Sequence, residues 1–233
     1  MDKYKILYII KYSKILYQLK ITIVFLGDSG VGKSCLITRF INGVFDINRQ
    51  AITEGSCANK AIGIPEIGKS LDLNIWDTEG TERYKSLTRI FCQCAKIVIL
   101  VYDITRKESF DNLKNYWYND IKEHCDSDVV IGIAGNKSDL YENEEVSEQE
   151  ARDFAESIGA VFCLTSAQNN SGVNNLFIEL GKKYLEPIHT TIESDIKTPE
   201  QKEESKQNSI LGEKDVDKKK EEQKKKKKPC IIF

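Results

Sequence analysis

Apolar residues fall along this chain in short runs separated by longer stretches of helical period. Ile21–Leu26 (ITIVFL) is a nearly continuous apolar run and reads as a buried strand. Ile97–Tyr102, Val129–Ala134 and the short Val161–Leu164 read the same way, and Leu71–Trp76 alternates in period two, as a strand with one drier face does. Gly27–Ser34 is a glycine-punctuated loop, followed by a helical pattern over Cys35–Ile41. Further helices are predicted near Ser109–His124, Ser147–Ile158 and Val173–Leu185, with Trp117, Phe154 and Phe177 as core positions. Ser147 is a good N-cap, and Glu150 three residues on completes a capping box. Buried strands alternating with helices predict a three-layer α/β domain around a mainly parallel sheet.

After Pro187 the pattern stops. Residues 189–229 are almost all Lys, Glu, Gln, Ser, Asp and Thr, too polar to offset the entropy of ordering, so a disordered tail is expected over 188–233. The expected division is thus 1–17 as an N-terminal extension, 18–187 as the domain and the remainder as tail. The formal charge of −2 over 233 residues suggests no charged partner, but it is a cancellation. Residues 1–20 hold five Lys against one Asp, and 197–233 hold twelve Lys against eight acids. The body between them carries 17 bases and 27 acids, a net charge of −10. No nucleic-acid partner is expected. The longest apolar run near the start, Ile6–Ile10, is too short for a secretory signal, and no run approaches the roughly 18 residues of a membrane span. Seven Cys without zinc-like pairing read as free thiols.

Chemistry concentrates after the strands. Gly27-Asp28-Ser29-Gly30-Val31-Gly32-Lys33-Ser34 follows a strand, opens a helix and matches the phosphate-binding loop G-x-x-x-x-G-K-[ST]. Its glycines let backbone N–H groups approach phosphates, and the helix N-terminus adds a favourable dipole. Lys33 suits the β- and γ-phosphates, and the Ser34 hydroxyl suits Mg²⁺. Asp77, at the end of the strand that contains Trp76, can hold Mg²⁺ through a water; with Thr78, Glu79 and Gly80 it forms a D-x-x-G motif. Asn136-Lys137-Ser138-Asp139 follows the strand Val129–Ala134. The Asp139 carboxylate can accept from N1–H and the 2-amino group of guanine, a pair that adenine lacks. Thr165-Ser166-Ala167 follows the last strand, where a backbone N–H can meet the guanine O6. Each later motif is weak alone, but all fall in order at the C-terminal ends of strands, where parallel α/β sheets bind ligands.

The set GDSGVGKS, WDTEG, NKSD and TSA resembles the Ras superfamily of small GTPases, most of all its Rab branch. GDSGVGKSCLITRF, ILVYDITRKESFDNLK and FAESIGAVFCLTSA extend the likeness beyond the nucleotide motifs, over about residues 18–187. The resemblance implies a P-loop fold, GTP or GDP as ligand with Mg²⁺, and GTP hydrolysis. It implies Thr53 as the switch threonine that binds Mg²⁺ and senses the γ-phosphate, giving a metal set of Ser34, Thr53 and Asp77. It also implies Phe45 packed across the guanine, Lys137 lining the base's other side with its stem, and Cys35, Leu140, Ala167 and Gln168 completing the pocket. Exchange factors, GTPase-activating proteins and effectors are the expected partners of a monomer.

Three departures stand out. Family members usually read D-T-A-G-Q where this chain has Asp77-Thr78-Glu79-Gly80-Thr81, so the water-orienting glutamine becomes Thr81. Thr is shorter and lacks the amide, which predicts slow hydrolysis. Glu79 either repels the γ-phosphate or swings toward Mg²⁺ or the water; the sequence leaves both open. The catalytic candidates are therefore Thr81, Glu79 and Gly80. The stretch after Thr53, Glu-Gly-Ser-Cys-Ala, is less hydrophobic than a Rab effector strand, and Gln168 replaces a usual Lys, which predicts a looser loop there.

The chain ends Cys230-Ile-Ile-Phe233, a prenylation box whose Phe favours geranylgeranyl. Lys218–Lys228 holds eight Lys and two Glu and supplies the second membrane signal. The expected location is the cytoplasmic face of an intracellular or plasma membrane, with a soluble cytosolic pool. Three rival functions remain: a pseudo-GTPase that holds nucleotide without turnover, a Ras- or Rho-type relay, and a P-loop kinase or ATPase, which Asp139 disfavours.

Overall fold

The computed structural model describes residues 20–45, 56–77 and 91–196, with backbone alone for residues 56 and 188–196. The chain divides into two units, Met1–Leu185 and Glu186–Phe233. The sheet lies wholly in the first. Its strands are β1 (Lys20–Leu26), β2 (Ser56–Ile64), β3 (Lys69–Asp77), β4 (Ile97–Asp103), β5 (Val130–Asn136) and β6 (Val161–Leu164). They lie in the order β2-β3-β1-β4-β5-β6. All neighbours run parallel except β2, which pairs antiparallel with β3 at one edge.

Alternation along β1 explains the layering. Ile23 and Phe25 point to one face, where Phe25 meets Phe177 of helix α5 (Val173–Ile196) with ring centroids 6.2 Å apart. Phe40, on helix α1 (Lys33–Asn42), stacks on the same Phe177 ring. Val24 and Leu26 point the other way, into a cluster with Val98, Leu100, Phe110, Trp117 and Ile121. That second face is covered by α2 (Lys107–Asn112), a π-helical turn Leu113–Trp117, α3 (Tyr118–His124) and α4 (Glu148–Ser157). The mainly parallel, helix-covered α/β sheet matches the expectation.

Three local readings need correction. β2 is absent from the sequence reading because Ser56-Cys-Ala-Asn-Lys-Ala-Ile-Gly-Ile64 is poor in β-branched and aromatic residues. Its pairing with β3 over the whole length, Ser56↔Asp77 to Ile64↔Lys69, overrides that weak propensity. On β2, the Lys60 ammonium lies 4.4 Å from the Phe40 ring centroid and binds the Phe40 carbonyl. The last helix runs to Ile196 rather than Leu185, through Pro187 and nine residues assigned to the tail. Extending a formed helix carries no nucleation cost, so a polar composition alone does not end it. Finally, Ser147 caps α4 by accepting from the Glu150 N–H, but the Glu150 carboxylate turns to Lys107 and Lys114 instead of completing the box.

Residues 1–17, Thr53, Thr78, Glu79, Gly80, Thr81, Lys218–Lys228 and Cys230 lie outside the described residues. Among the described residues no helix is long and apolar enough to cross a membrane. The six described cysteines are free thiols.

Candidate functional site

β1 ends against a loop whose shape depends on glycine at two points. At Gly27, with φ +144°, a Cβ would stand 2.2 Å from the Val101 carbonyl oxygen of β4. At Gly32, with φ +98°, a Cβ would stand 2.3 Å from Asn136 Nδ2. No side chain fits either place, so the loop can pass close to β4 and to the end of β5. Lys33 then opens α1 and is buried, its ammonium donating to the Gly27 and Asp28 carbonyls at 2.8 Å each. Ser34 follows in the first turn of α1.

The loop is clamped from outside. Arg106 Nη2 donates to the Ser29 carbonyl at 3.0 Å. Asn112 Nδ2 and Trp117 Nε1 each donate to the Asp28 carboxylate at 2.8 Å. In an α-helix residues five apart point about 140° apart, since each adds about 100°. The π turn over Leu113–Trp117 closes i→i+5 bonds and brings Asn112 and Trp117 toward one side, where both reach Asp28. Asp28 therefore has its side chain committed to the clamp; of the loop, the cavity described below takes Gly30 and Gly32. Trp117, a core residue by sequence, is half core and half clamp. Only its burial was legible, because a linear pattern does not reveal where an indole N–H points.

At the end of β5, Asn136 ties two loops together. Its Nδ2 donates to the buried Val31 carbonyl at 2.8 Å, and its Oδ1 accepts from Thr165 Oγ1 at 3.4 Å. Lys137 follows in a left-handed conformation, φ 64°, which a non-glycine residue adopts at a cost. Its ammonium pairs with Asp103 Oδ2 at 2.6 Å. Asp139 accepts a bond from Ser166 Oγ, which in turn accepts from the Asn169 N–H at 3.2 Å. These loops enclose a cavity of about 260 Å³ lined by Gly30, Gly32, Cys35, Phe45, Asn136, Lys137, Asp139, Leu140, Ala167 and Gln168. Residues from three predicted motifs and the family-matched Cys35, Phe45, Leu140 and Gln168 thus meet at one end of the parallel strands. Val31, Lys33, Ser34 and Ser166 adjoin lining residues in sequence but do not line the cavity themselves, and buried Asp77 ends β3 level with Phe25 of β1.

With this geometry the comparisons fall into place. The Ras family sequence model matches residues 22–186. The chain belongs to the Ras family. Within it, the chain is similar to Rab proteins. It is 41% identical over 169 residues to Ras-related protein Rab-22A of Homo sapiens, covering 72% of this chain and 84% of that one. It is 35% identical over 184 residues to Ras-related protein Rab-30 of Homo sapiens, covering 78% and 89%. It is 35% identical over 164 residues to Ras-related protein SEC4 of Candida albicans, covering 70% and 77%. The chain is a Ras-superfamily small GTPase most like the Rab proteins.

Two side chains that shape this Ras-family pocket escape a sequence reading. Arg39, on α1, donates to carbonyls of both loops beside the cavity. Asp103, the last residue of β4, is 4% exposed and accepts from the Thr105 N–H and Oγ1 at 2.9 and 2.7 Å as well as from Lys137. A signal for Asp103 existed: an acid directly after the six-residue apolar run Ile97–Tyr102 has to find donors. For Arg39 there was none, because two of its three partners are backbone atoms more than 120 positions away.

Asp103 also sets a pH dependence. Burial pushes its carboxyl up, but the bonds from Lys137 and Thr105 outweigh that and hold it below the ordinary value. A depressed folded-state pKa gives stability that is complete above the unfolded value of about 3.9 and disappears as pH falls through the folded one. The gap in urea-unfolding free energy between the natural protein and Asp103→Asn should therefore be constant from about pH 7 to 5 and close below about pH 4. A gap that widened on acidification would contradict the assignment.

Proposed function

We propose that this chain is a GTP/GDP switch of the Rab type that serves vesicle traffic at the cytoplasmic face of an intracellular or plasma membrane, exchanging with a soluble pool. The observation that carries the reading is the single cavity where the phosphate loop, Asn136–Asp139 and Ala167 meet. Lys33 would move its ammonium from the loop carbonyls to the β- and γ-phosphates. Backbone N–H groups from Gly30 to Cys35 would face the phosphates, at the N-terminus of α1. Asp139 and the Ala167 N–H would read the guanine edge, with Phe45 and the Lys137 stem on its faces.

The oxygen donors present fit Mg²⁺: the Ser34 hydroxyl and the buried Asp77 carboxylate are hard ligands, and Thr53 joins them by family match. When bound, Mg²⁺ supplies charge neutralisation at the β- and γ-phosphates. Contacts of Thr53 and Gly80 with the γ-phosphate would order the segments around them, and that ordered surface is what effectors would read; hydrolysis would release it.

Thr81 lacks the amide that orients the attacking water, and Glu79 adds a carboxylate nearby. Intrinsic turnover should be slow. Single-turnover hydrolysis of bound GTP should speed up about tenfold in Thr81→Gln, since placing the water is a matter of about an ångström. Equal rates in both proteins would sink the slow-switch reading. Failure of both to hydrolyse, even with an activating protein, would instead favour a pseudo-GTPase binding module.

The membrane arm rests on Cys230, four residues from the end, behind Lys218–Lys228. One prenyl chain binds marginally and the polybasic run adds about 1 kcal/mol per Lys near an anionic leaflet. Tagged protein expressed in cells should pellet with membranes, and Cys230→Ser should move to the soluble fraction. Identical partitioning would remove prenylation from the proposal.

A further inference from the structure

We propose that Arg39 is a positioning residue for the nucleobase: from the last turn of α1 its guanidinium holds the Ala167–Gln168 loop and the Gly43–Phe45 turn in the relative placement that lets them close on a guanine. The proposal rests on the guanine reading of the cavity and names a residue outside its motifs.

Three backbone carbonyls converge on one side chain. Arg39 Nε donates to the Ala167 carbonyl at 2.6 Å, Nη2 to the Gln168 carbonyl at 2.7 Å and Nη1 to the Gly43 carbonyl at 2.7 Å. The same guanidinium carbon lies 6.0 Å from the Phe45 ring centroid. A planar fork with five donors suits this task, and a single ammonium does not. Both ends of the clamp carry cavity-lining residues: Ala167 and Gln168 on one side, Phe45 on the other.

Peptide geometry extends the effect. In a trans peptide the carbonyl and the next N–H point to opposite sides. Binding the Gln168 carbonyl from the α1 side therefore directs the Asn169 N–H the other way, where it donates to Ser166 Oγ. Ser166 Oγ then donates to the Asp139 carboxylate. A chain runs from the Arg39 charge through one peptide and one hydroxyl to the acid that would read guanine, and each bond polarises the next. The clamp also grips Gln168 by its backbone. The looseness expected from losing the usual Lys at that position is thus countered by atoms that do not depend on the side chain.

The test uses the full chain, loaded with GDP or with 6-thioguanosine diphosphate. The analogue keeps both groups facing Asp139 and weakens only the acceptor facing the Ala167 loop. Arg39→Ala should release GDP about 10- to 30-fold faster than the natural protein, the size expected for lost charge-assisted bonds. The natural protein should release the thio analogue faster than GDP, and in Arg39→Ala that ratio should fall by at least half, because the loop N–H is no longer held in place. A general loss of stability would scale both nucleotides equally and leave the ratio unchanged. Arg39→Lys, which keeps the charge and most of the stem, should fall between the two and is measured in any case, so the test stands if the alanine variant fails to fold. An unchanged GDP release rate, or an unchanged ratio in both variants, overturns the role of Arg39. A natural protein indifferent to the oxygen-to-sulfur change overturns the guanine reading itself, and this role with it.

Discussion

Replacing Asp139 by alanine should weaken GDP binding by about 100- to 10,000-fold. Two charge-assisted bonds, each worth about 1.5–3 kcal/mol, would be lost from N1–H and the 2-amino group. The structure shows why this acid is suited to the task. It lines the cavity and has one oxygen fixed by Ser166 Oγ. A carboxylate has about four lone-pair sites, so one taken by Ser166 leaves enough for two guanine donors. ATP affinity should be low in both proteins and should not fall further in the variant. Fluorescent-nucleotide displacement with GDP and ATP would measure this. GDP binding within about threefold of the natural protein would refute the base assignment, since no second acceptor of that strength is expected.

The second large effect falls on Asn136. Alanine there removes the donor to the Val31 carbonyl, in a residue with no exposed surface, and the acceptor for Thr165 Oγ1. A buried carbonyl left without its donor costs about 1–3 kcal/mol. At about 2–4 °C per kcal/mol for a domain of this size, Tm should drop by roughly 5–10 °C. GDP affinity should fall by about 100-fold as well, because the phosphate loop and the base loops are then no longer held in register, and misplacement by about an ångström is costly. Asn136→Asp is the sharper control. It keeps the volume but turns a donor into an acceptor facing the Val31 carbonyl, so it should be at least as damaging. Thermal unfolding and nucleotide binding of both variants check this. A well-folded Asn136→Asp with natural affinity would show that the tie between loops does not matter.

Legibility in the sequence followed the range of the interaction. β1, β4 and β5 were visible because strands buried on both faces read as apolar runs. β2 was not, because a sheet edge tolerates Ser, Asn, Lys and Gly when the partner strand supplies the ladder. The phosphate loop was visible because its glycines are demanded locally, by backbone approach. The loop contacts of Arg39 and the N–H of Trp117 were not, because they act on atoms remote in sequence. The polar stretch after Pro187 shows a different limit: composition changes close to the unit boundary at Leu185 and Glu186, while the helical backbone runs on to Ile196.

By itself the sequence determined the fold class and the family and supplied the motifs on which the proposed ligand rests, because each depends on short-range pattern: burial period, glycine at fixed offsets, an acid after a strand. It also carried Thr81, Glu79 and Cys230, which no other information in the structure replaces. Only the tertiary structure decided how the pocket is held. Asp28 turned out to belong to a clamp, Asn136 to a tie between loops, Lys137 to a pair with Asp103, and Arg39 to a fork across two turns. The physical reason is directional. A hydrogen bond needs its partners within about 3 Å and aligned, and folding, not spacing along the chain, sets those distances.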